Sequence, residues 1–426
     1  MILWLYSWLM WLAQPFLRRK LLRRSVQEPG YGQCIEERFG RYAQPVPAHD
    51  GPTVWLHAVS LGETRAAAVL ITALRQQLPH MRLLLTHGTA TGRAEGVKLL
   101  EAGDLQAWQP WDTPGSVQRF LNHFKPELGI LMETEVWPNL AHGCQRLGVP
   151  LVLVNARLSN KSLRQAQRLA WLARPAFAAL AGVWAQTPQD AQRLQSLGAK
   201  VKGVAGNLKF DAAPNAAQLA LGQHWRAQLR TPVVMFASSR EGEEQALLQV
   251  LRHALPEAAS VQWLIVPRHP QRFDEVAAMI EFHGFAVQRR SSWGQGGPAA
   301  VAGGAPVIWL GDSLGEMALY YGLADVALLG GSFAPLGGQN LIEAAACSCP
   351  VVMGPHTFNF LEAAEQALEA GAALRVADLA QAVAAASELC FDRHRLEIVN
   401  QASQRFAHAH QGAARHLAQV VVQISG

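Results

Sequence analysis

Residues 54–59, VWLHAV, are followed by TRAAAVLITALRQQL at residues 64–78 and then by MRLLLTHG at residues 81–88. The first and third segments are short apolar runs of the kind that form buried strands, whereas the second is a helical stretch. A strand, a helix and a second strand in this order are typical of a parallel βαβ unit. This part of the sequence therefore predicts an α/β domain built on a parallel sheet.

The same alternation continues along the chain and begins a second time after Pro232. The further runs of the first series are ELGILME (127–133), PLVLVNA (150–156) and GVWAQT (182–187), and those of the second are VVMFASS (233–239), VQWLIVPRH (261–269), VIWLGD (307–312), ADVALLGGS (324–332) and CPVVMGP (349–355). Two doubly wound domains are therefore predicted. We expect their ligand at the carboxyl ends of the strands, in a crevice between the two domains.

The boundary between the domains is placed near residues 207–230, a polar stretch that is rich in Ala and Gln and contains Pro214. A second irregular stretch, residues 291–306, is rich in Gly, Ala and Ser. It is interpreted as a surface loop rather than a linker, because strand-like runs of the same domain resume directly after it.

The composition excludes several classes of protein. With 426 residues, half of them apolar, the chain can bury two full cores. Its net charge of +5 is matched by one cluster of cations near the N-terminus (Arg18, Arg19, Lys20, Arg23 and Arg24), which argues against a nucleic-acid-binding surface spread over the folded body. The five cysteines lack zinc-site spacing and are expected to be reduced thiols in a cytoplasmic protein.

The N-terminal segment predicts a membrane attachment. Residues 2–17 are nearly all apolar and precede the cations, whereas a cleaved signal peptide has the opposite order, so the segment is expected to be retained. A short membrane span would leave the body in the cytoplasm by the positive-inside rule. A helix in the interface, with its tryptophans at headgroup depth and its cations on anionic lipids, is the alternative. The basic flank disfavours a third interpretation, an ordinary core helix.

Acidic residues follow two strands of the first domain. Glu63 comes after the first strand, behind the turn-forming Gly62, where its carboxylate could act as a base. It could equally be a simple helix cap that favours the helix dipole. Glu133 and Glu135 both follow the end of a later strand. Two carboxylates held so close together repel each other, so their presence suggests that the site uses at least one of them.

The second domain has three groups of residues that could bind a nucleotide. Arg268 lies between Pro267 and Pro270 at a strand end, where its guanidinium could bind a phosphate group. The segment could equally be an ordinary surface turn. The loop 311–316 opens a helix whose amides could cradle a nucleotide. Two glycine pairs, at residues 330–331 and 337–338, precede Asn340 and could let the backbone approach a ligand closely. The carboxylate of Glu343 could bind ribose hydroxyls.

The sequence lacks the catalytic motifs of several other enzyme classes. The sequence has no P-loop, no GxGxxG after its first strand, no HExxH, no GxSxG and no convincing Asp-x-Asp metal pair. Kinase, dehydrogenase, zinc-protease and α/β-hydrolase interpretations therefore lose support. A transferase that needs no metal remains.

The chain resembles the family of 3-deoxy-D-manno-octulosonic acid (Kdo) transferases in a set of motifs that run in family order over nearly its whole length. The segments are WLHAVSLGET (55–64), METEVWPNL (132–140), NARLS (155–159), GNLKFD (206–211), EGEE (241–244), PRHPQRF (267–273), GDSLGEM (311–317), GGSFAPLGGQNLIEAA (330–345) and GPHTFNF (354–360). The resemblance implies a GT-B fold, with two Rossmann-like domains facing a cleft and an N-terminal membrane-anchor helix.

It also implies an organisation and an activity. Residues 1–24 would be the membrane anchor and its basic flank, 25–212 the acceptor-binding domain, and 213–426 the CMP-Kdo-binding domain, whose last helix may return to the N-terminal domain. The reaction implied is inverting transfer of Kdo from CMP-Kdo to lipid IVA, with no cofactor or metal and no nucleic-acid partner. Its expected place is the cytoplasmic side of the bacterial inner membrane.

The family's functional residues carry over to matching positions. Glu63 would be the general base, and Glu133 and Lys209 would stabilise the transition state. The expected CMP-Kdo contacts are Pro267, Arg268, Leu314, Gly315, Glu316, Asn340, Leu341, Ile342 and Glu343. The two cations Lys209 and Arg268 could instead form plain structural ion pairs.

Three departures from the family pattern predict altered donor contacts rather than lost activity. Residues 238–240 read Ser-Ser-Arg where Ser-Thr-His is common, Gln339 replaces a common His, and residues 341–342 replace a Pro-Leu pair. The rival interpretations are a GT-B enzyme that uses a UDP-sugar, a nucleotide-sugar epimerase and an inactive membrane scaffold of the same fold.

Overall fold

The computed structural model describes residues 2–253, 260–298 and 306–425. The chain divides into two compact units. Unit 1 consists of Met1–Asp211 together with Gln411–Gly426, and unit 2 consists of Ala212–His410. The C-terminal segment thus belongs to the same unit as the N-terminal half of the chain.

Unit 1 is built on a parallel seven-stranded sheet with helices on both faces. Its strands are β1 Thr53–His57, β2 Arg82–His87, β3 Leu105–Trp108, β4 Leu128–Met132, β5 Leu151–Ala156, β6 Gly182–Ala185 and β7 Val201–Val204. Its helices are α1 Ile2–Gln27, α2 Leu61–Gln77, α3 Ala90–Gly96, α4 Pro114–Phe124, α5 Pro138–Leu147, α6 Asn160–Arg168, α7 Ala170–Ala178, α8 Pro188–Ser196 and, from the C-terminus, α17 Ala413–Ser425. The strand order is β3-β2-β1-β4-β5-β6-β7.

Unit 2 repeats this architecture. Its strands are β8 Val233–Ser239, β9 Gln262–Pro267, β10 Ala286–Arg289, β11 Val307–Leu310, β12 Val326–Leu329, β13 Val351–Met353 and β14 Ala373–Arg375. Its helices are α9 Ala216–Gln228, α10 Glu243–His253, α11 Phe273–Phe282, α12 Met317–Leu323, α13 Leu341–Ala346, α14 Leu361–Glu369, α15 Leu379–Phe391 and α16 Arg393–Ala409. The parallel strands are ordered β10-β11-β9-β8-β12-β13-β14, so the predicted α/β class with two doubly wound domains is confirmed.

Helix α2 illustrates how the sequence sets these elements. It starts after Ser60, whose side chain accepts a hydrogen bond from a first-turn amide, and Arg75 lies in its last turn, where a cation favours the helix dipole. Its buried residues recur at helical spacing on one face, at Ala66, Ala67, Leu70, Ile71 and Leu74. That face packs on the sheet, and the return helix α17 lies against α2 in the same core.

Each sheet has a point at which the strand order reverses. In unit 1 it lies at β1 and β4, which are adjacent although β2 and β3 intervene in the sequence, and in unit 2 it lies at β8 and β12. The loops that follow such neighbouring strands leave toward opposite faces and open a crevice at the carboxyl edge. These two edges are where the candidate residues lie.

Two expectations need correction or restriction. Of the predicted surface loop 291–306, residues 299–305 lie outside the described residues, and within the described part Trp293 is buried against Trp225 and Trp309. The stretch EGEEQALLQVLRHAL (241–255), whose pattern predicts a helix after the strand 233–239, forms α10 over Glu243–His253, and its last two residues also lie outside the described ranges.

Residues 2–27 form the helix α1, which includes Pro15. Within the described part of the chain, no helix has the combination of length and hydropathy that a bilayer span requires.

Candidate functional site

Glu63 lies in the first turn of α2 and is held by a reciprocal helix cap. The Ser60 hydroxyl accepts a hydrogen bond from the Glu63 amide (3.3 Å) and donates one to Glu63 Oε1 (3.0 Å). Glu63 Oε2 accepts from the Val59 amide at 2.9 Å. The expected capping role is therefore observed, and it fixes the carboxylate in one orientation at the carboxyl edge of the sheet.

The surroundings of Glu63 change its acidity. Burial raises the pKa of this carboxyl to about 7; the Val59 amide lowers it in part, and the negative charges of Glu133 and Glu135 raise it further. A carboxylate with a pKa near neutrality is substantially ionised at physiological pH and still takes up a proton readily. These are the properties of a general base.

Glu133 and Glu135 lie in the loop that follows β4, the strand next to β1. Glu133 has a left-handed backbone with φ of +56°, a conformation that costs a non-glycine residue about 1–2 kcal/mol. Its amide and carbonyl bond to the Val154 carbonyl (3.2 Å) and the Arg157 amide (3.3 Å). Glu135 accepts from Trp137 Nε1 at 3.0 Å, and burial raises its pKa. These hydrogen bonds hold the acidic loop, residues 133–135, beside Glu63.

Lys209 lies in a 3₁₀ turn, Leu208–Asp211, that packs on α2. The buried side chain of Asn155, at the end of β5, accepts a hydrogen bond from the Leu208 amide at 3.1 Å. Asp211 accepts from the amides of Gly412 and Ala414, so it ties the turn to the start of α17. The structure therefore assembles Glu63, Glu133 and Lys209 on neighbouring elements of one unit.

Asn155 is a positioning residue that reasoning from the residue pattern missed. Its backbone has φ of +50°, and an amide side chain that is fully buried at a strand end is an unusual choice there. The sequence offered a signal in the asparagine that interrupts the apolar run PLVLVNA.

In unit 2, Arg268 follows β9, whose last residue is the buried Pro267. The Arg268 amide bonds to the Ser239 carbonyl at 3.0 Å, whereas its side chain is exposed and has no ion-pair partner among residues 2–253, 260–298 and 306–425. Arg272, four residues on, is the buried structural cation, paired with the buried Glu244 at 2.8 Å. The exposed guanidinium of Arg268 remains available for an anionic ligand.

The loop before α12 contains three of the residues that were expected to contact CMP-Kdo. Leu314 is 70% exposed, and Gly315 has φ of +78°, a conformation that favours glycine. Glu316 accepts from Arg290 at 3.0 Å, so its carboxylate already has a cationic partner.

Glu243 organises the first glycine pair, a role that the sequence did not reveal. One of its carboxylate oxygens accepts from the amides of Gly331 (2.7 Å) and Arg240 (3.0 Å), and the other from those of Phe333 and Ala334 (3.2 Å each). These are the backbone donors that a glycine-rich loop could otherwise offer to a phosphate. Only the motif EGEE signalled this residue.

Close packing within the protein explains part of the glycine pattern. A Cβ on Gly330 would lie 2.2 Å from the Ser238 carbonyl oxygen, and one on Gly337 would lie 2.4 Å from Asn359 Nδ2. The expectation that these glycines make room for a ligand is therefore incomplete. Backbone already excludes a side chain at Gly330, and the φ of +92° at Gly337 favours glycine whatever the ligand.

Asn340 and Glu343 form the cap of α13. Asn340 Oδ1 accepts from the Ile342 amide at 3.2 Å, and Asn340 Nδ2 donates to Glu343 Oε1 at 3.1 Å. Leu341 and Ile342 are each 1% exposed, so their side chains belong to the core and only their backbone can reach a ligand. Glu343 is exposed.

Across the described ranges, no cluster of three or more His, Cys, Asp or Glu side chains has the arrangement of a metal site.

Similarity to known proteins shows the family to which this chain belongs. The family model described as 3-deoxy-D-manno-octulosonic-acid transferase (kdotransferase) matches residues 33–212. The 3-deoxy-D-manno-octulosonic acid transferase of Bordetella pertussis is 46% identical over 427 aligned residues, which cover 97% of this chain and 94% of the relative. The chain belongs to the Kdo transferase family. It is therefore a glycosyltransferase, as the motifs predicted.

Solved structures support the fold of this Kdo transferase. A glycosyltransferase from Rickettsia africae superposes with a TM-score of 0.56 at 12% identity, covering 88% of this chain and 99% of the other. The UDP-GlcNAc 2-epimerase of Neisseria meningitidis superposes with a TM-score of 0.55 at 14% identity, covering 87% and 98%. Such low identities show the fold alone, and the predicted GT-B fold is confirmed. The rival epimerase interpretation has only this shared fold in its favour.

Proposed function

We propose that this Kdo transferase moves Kdo from CMP-Kdo to lipid IVA with inversion at the anomeric carbon. The observation that carries the proposal is Glu63, a carboxylate held by two hydrogen-bonded partners, with a pKa raised to about 7 beside the acidic loop. A half-buried base of this acidity suits removal of a proton from a sugar hydroxyl near neutral pH.

The reaction is a single displacement. Glu63 takes the proton from the acceptor hydroxyl as the hydroxyl oxygen forms a bond to the anomeric carbon of Kdo. The bond from that carbon to the CMP phosphate oxygen breaks on the opposite side, and CMP leaves with the electron pair. Attack opposite the leaving group inverts the configuration, and no covalent intermediate with the protein forms.

Charge stabilisation is assigned to residues of both units. Glu133 and Lys209, positioned beside α2, stabilise the transition state, and Arg268 neutralises the CMP phosphate. The exposed guanidinium of Arg268 supports that assignment. The remaining donor contacts are proposed for the backbone of residues 314–316 and 340–342 and for the side chain of Glu343.

The two units receive different ligands in this proposal. Unit 1, with Glu63, binds the acceptor, and unit 2 binds CMP-Kdo. Helix α1 attaches the enzyme to the cytoplasmic face of the inner membrane, because Trp4, Trp8 and Trp11 are 50–68% exposed and precede five cations.

The test is transfer of Kdo from CMP-Kdo to a tetra-acylated lipid A precursor, read by mass spectrometry of the lipid. A mass gain of one or more Kdo units supports the proposal and gives the number added. Bound but unconsumed CMP-Kdo would contradict it and point to a different acceptor or to the inactive scaffold.

Glu63→Gln keeps the size of the side chain and removes the base. We expect transfer to fall by at least about 10²-fold, while folding and CMP binding stay unchanged. The matched control is Glu281→Gln, an exposed carboxylate on α11 of unit 2. Transfer by Glu63→Gln at the wild-type rate would assign the base to Glu133 or Glu135 instead.

A further inference from the structure

A cavity of about 260 Å³ lies within unit 1, between α1 and the helices α4 and α5. Its walls include Leu3 and Trp4 from α1, Val117 from α4 and Leu147 from α5. A closed apolar cavity of about 150 Å³ is sufficient to bind benzene, whereas drug-sized ligands occupy at least about 300 Å³. The space therefore suits one slender apolar group rather than a whole lipid.

The cavity has an open rim that combines apolar and cationic side chains. Trp4 is 68% exposed and Leu147 is 42% exposed, so both stand at the protein surface. Arg146 and His142 line the same cavity and are also exposed. The lining also contains the polar side chains of Ser7, Gln118 and Asn139. Apolar side chains from three helices with a cation at the rim complement an apolar chain attached to an anionic headgroup.

Polar contacts hold α1 in place as the outer wall of this cavity. The Tyr6 hydroxyl bonds to Asp112, and the Ser7 hydroxyl donates to Asn139 Oδ1 at 2.9 Å. Asp112 is 3% exposed and also accepts from the amides of Asn139 (3.0 Å) and Leu140 (2.8 Å). Because removal of one partner from a buried hydrogen-bonded carboxylate is costly, α1 is an integral part of unit 1.

The cavity adjoins the acidic loop. Asn139, which lines the cavity, is in the first turn of α5, and that helix begins directly after Trp137. The indole of Trp137 holds Glu135, whose charge raises the pKa of Glu63. Asn139 therefore connects the wall of the cavity to the loop that carries Glu135.

We propose that this cavity binds one fatty-acyl chain of the lipid acceptor, with α1 as a wall of the acceptor site in addition to its attachment role. The identity of the acceptor rests on the proposed function. The row of exposed apolar residues on α1, with the cations after it, places the rim of the cavity next to a bilayer surface, from which such a chain can enter.

The experiment narrows the cavity from two sides. Leu147→Trp acts from α5 and Gln118→Trp from α4, and both positions are exposed, so folding is retained. The matched control is Ile398→Trp, which adds the same side chain at a half-exposed position of unit 2. Equilibrium binding of the tetra-acylated lipid A precursor and of its fully deacylated form is measured in detergent without CMP-Kdo.

We expect both cavity variants to bind the tetra-acylated precursor about tenfold more weakly and the deacylated form unchanged, whereas Ile398→Trp alters neither. No weakening, or equal weakening of both forms, would overturn the proposal. Competition by phosphatidylglycerol as strong as that of the unlabelled precursor would also overturn it, because a bulk lipid would then be the occupant. The binding measurement contains no CMP-Kdo and so does not depend on transfer. If the wild-type protein fails to transfer Kdo in the separate transfer assay, that result contradicts only the proposed function.

Discussion

At the scale of single residues, Glu63 shows that a structural role and a catalytic one can coincide. Its hydrogen bonds with Ser60 and Val59 cap α2, while its burial and the two neighbouring carboxylates raise its pKa. The cap holds the carboxylate still, and a base that is already oriented loses little entropy when the substrate arrives. The cap interpretation and the base interpretation of this residue are therefore compatible.

The acidity of Glu63 predicts how transfer depends on pH. The pKa is raised, so the carboxylate that accepts the proton is depleted as the pH falls through about 7. We expect kcat/KM to be highest above pH 7 and to fall about tenfold per pH unit well below it. Glu135→Gln removes a like charge and should move the midpoint to lower pH, and Glu281→Gln should leave it unchanged. A flat profile between pH 5.5 and 8 would exclude Glu63 as the base.

At the scale of elements, Glu243 shows how a helix shapes a loop from a distant part of the chain. It lies in the first turn of α10, yet it accepts amide hydrogen bonds from the loop after β12. The carboxylate thus occupies an anion-binding arrangement of backbone amides from within the protein. The loop that precedes Asn340 depends on this contact for its shape.

Substitution of Glu243 should therefore impair donor binding. In the wild-type protein both carboxylate oxygens of Glu243 accept hydrogen bonds from backbone N–H groups, whereas the NH2 group of the glutamine in Glu243→Gln cannot accept any. We therefore expect the KM for CMP-Kdo to rise about tenfold or more, with a smaller change in kcat. Glu241→Gln, on the same motif but half-exposed, should change the KM less than twofold. The measurement is initial rate against CMP-Kdo concentration at saturating acceptor, and equal effects of the two variants would refute the positioning role.

At the scale of the whole molecule, the chain returns to unit 1 after completing unit 2. Helix α17 buries Leu417, Ala418 and Val421 in the core that also holds Leu70 and Leu74 of α2. Asp211 joins the Lys209 turn to the amides at the start of this helix. The C-terminal residues thus support the helix that carries Glu63.

This return predicts that a C-terminal substitution weakens the N-terminal unit. Leu417 is 0% exposed, and Leu417→Ala should lower the free energy of unfolding by about 2–5 kcal/mol. Ile398→Ala, at a position 50% exposed on α16, should cost less than about 1 kcal/mol. Urea unfolding followed by circular dichroism gives both values, and a similar loss in the two variants would contradict the packing of α17.

The central part of both sheets could be predicted from the order of residues alone. The strands β1, β2, β4, β5 and β6 in unit 1, and β8, β9, β11, β12 and β13 in unit 2, are continuous apolar runs because helices cover both of their faces. The four strands that were not predicted, β3, β7, β10 and β14, are the four sheet edges. The edge strands β7, β10 and β14 are partly solvated, so their residues carry no such run. The edge strand β3 is mostly buried, but Gln106 interrupts its short apolar run.

Local chemistry also marked Glu63, Arg268, Asn340 and the glycine pairs, because turns, caps and strand ends depend on a few neighbouring residues. The other features of the candidate site arise only when the chain folds. Four features join segments that are far apart in sequence: the raised pKa of Glu63, the three loop amides that bond to Glu243, the support of the Lys209 turn by Asn155, and the cavity beneath α1. Such contacts depend on burial and on through-space distance, which no local pattern of residues encodes.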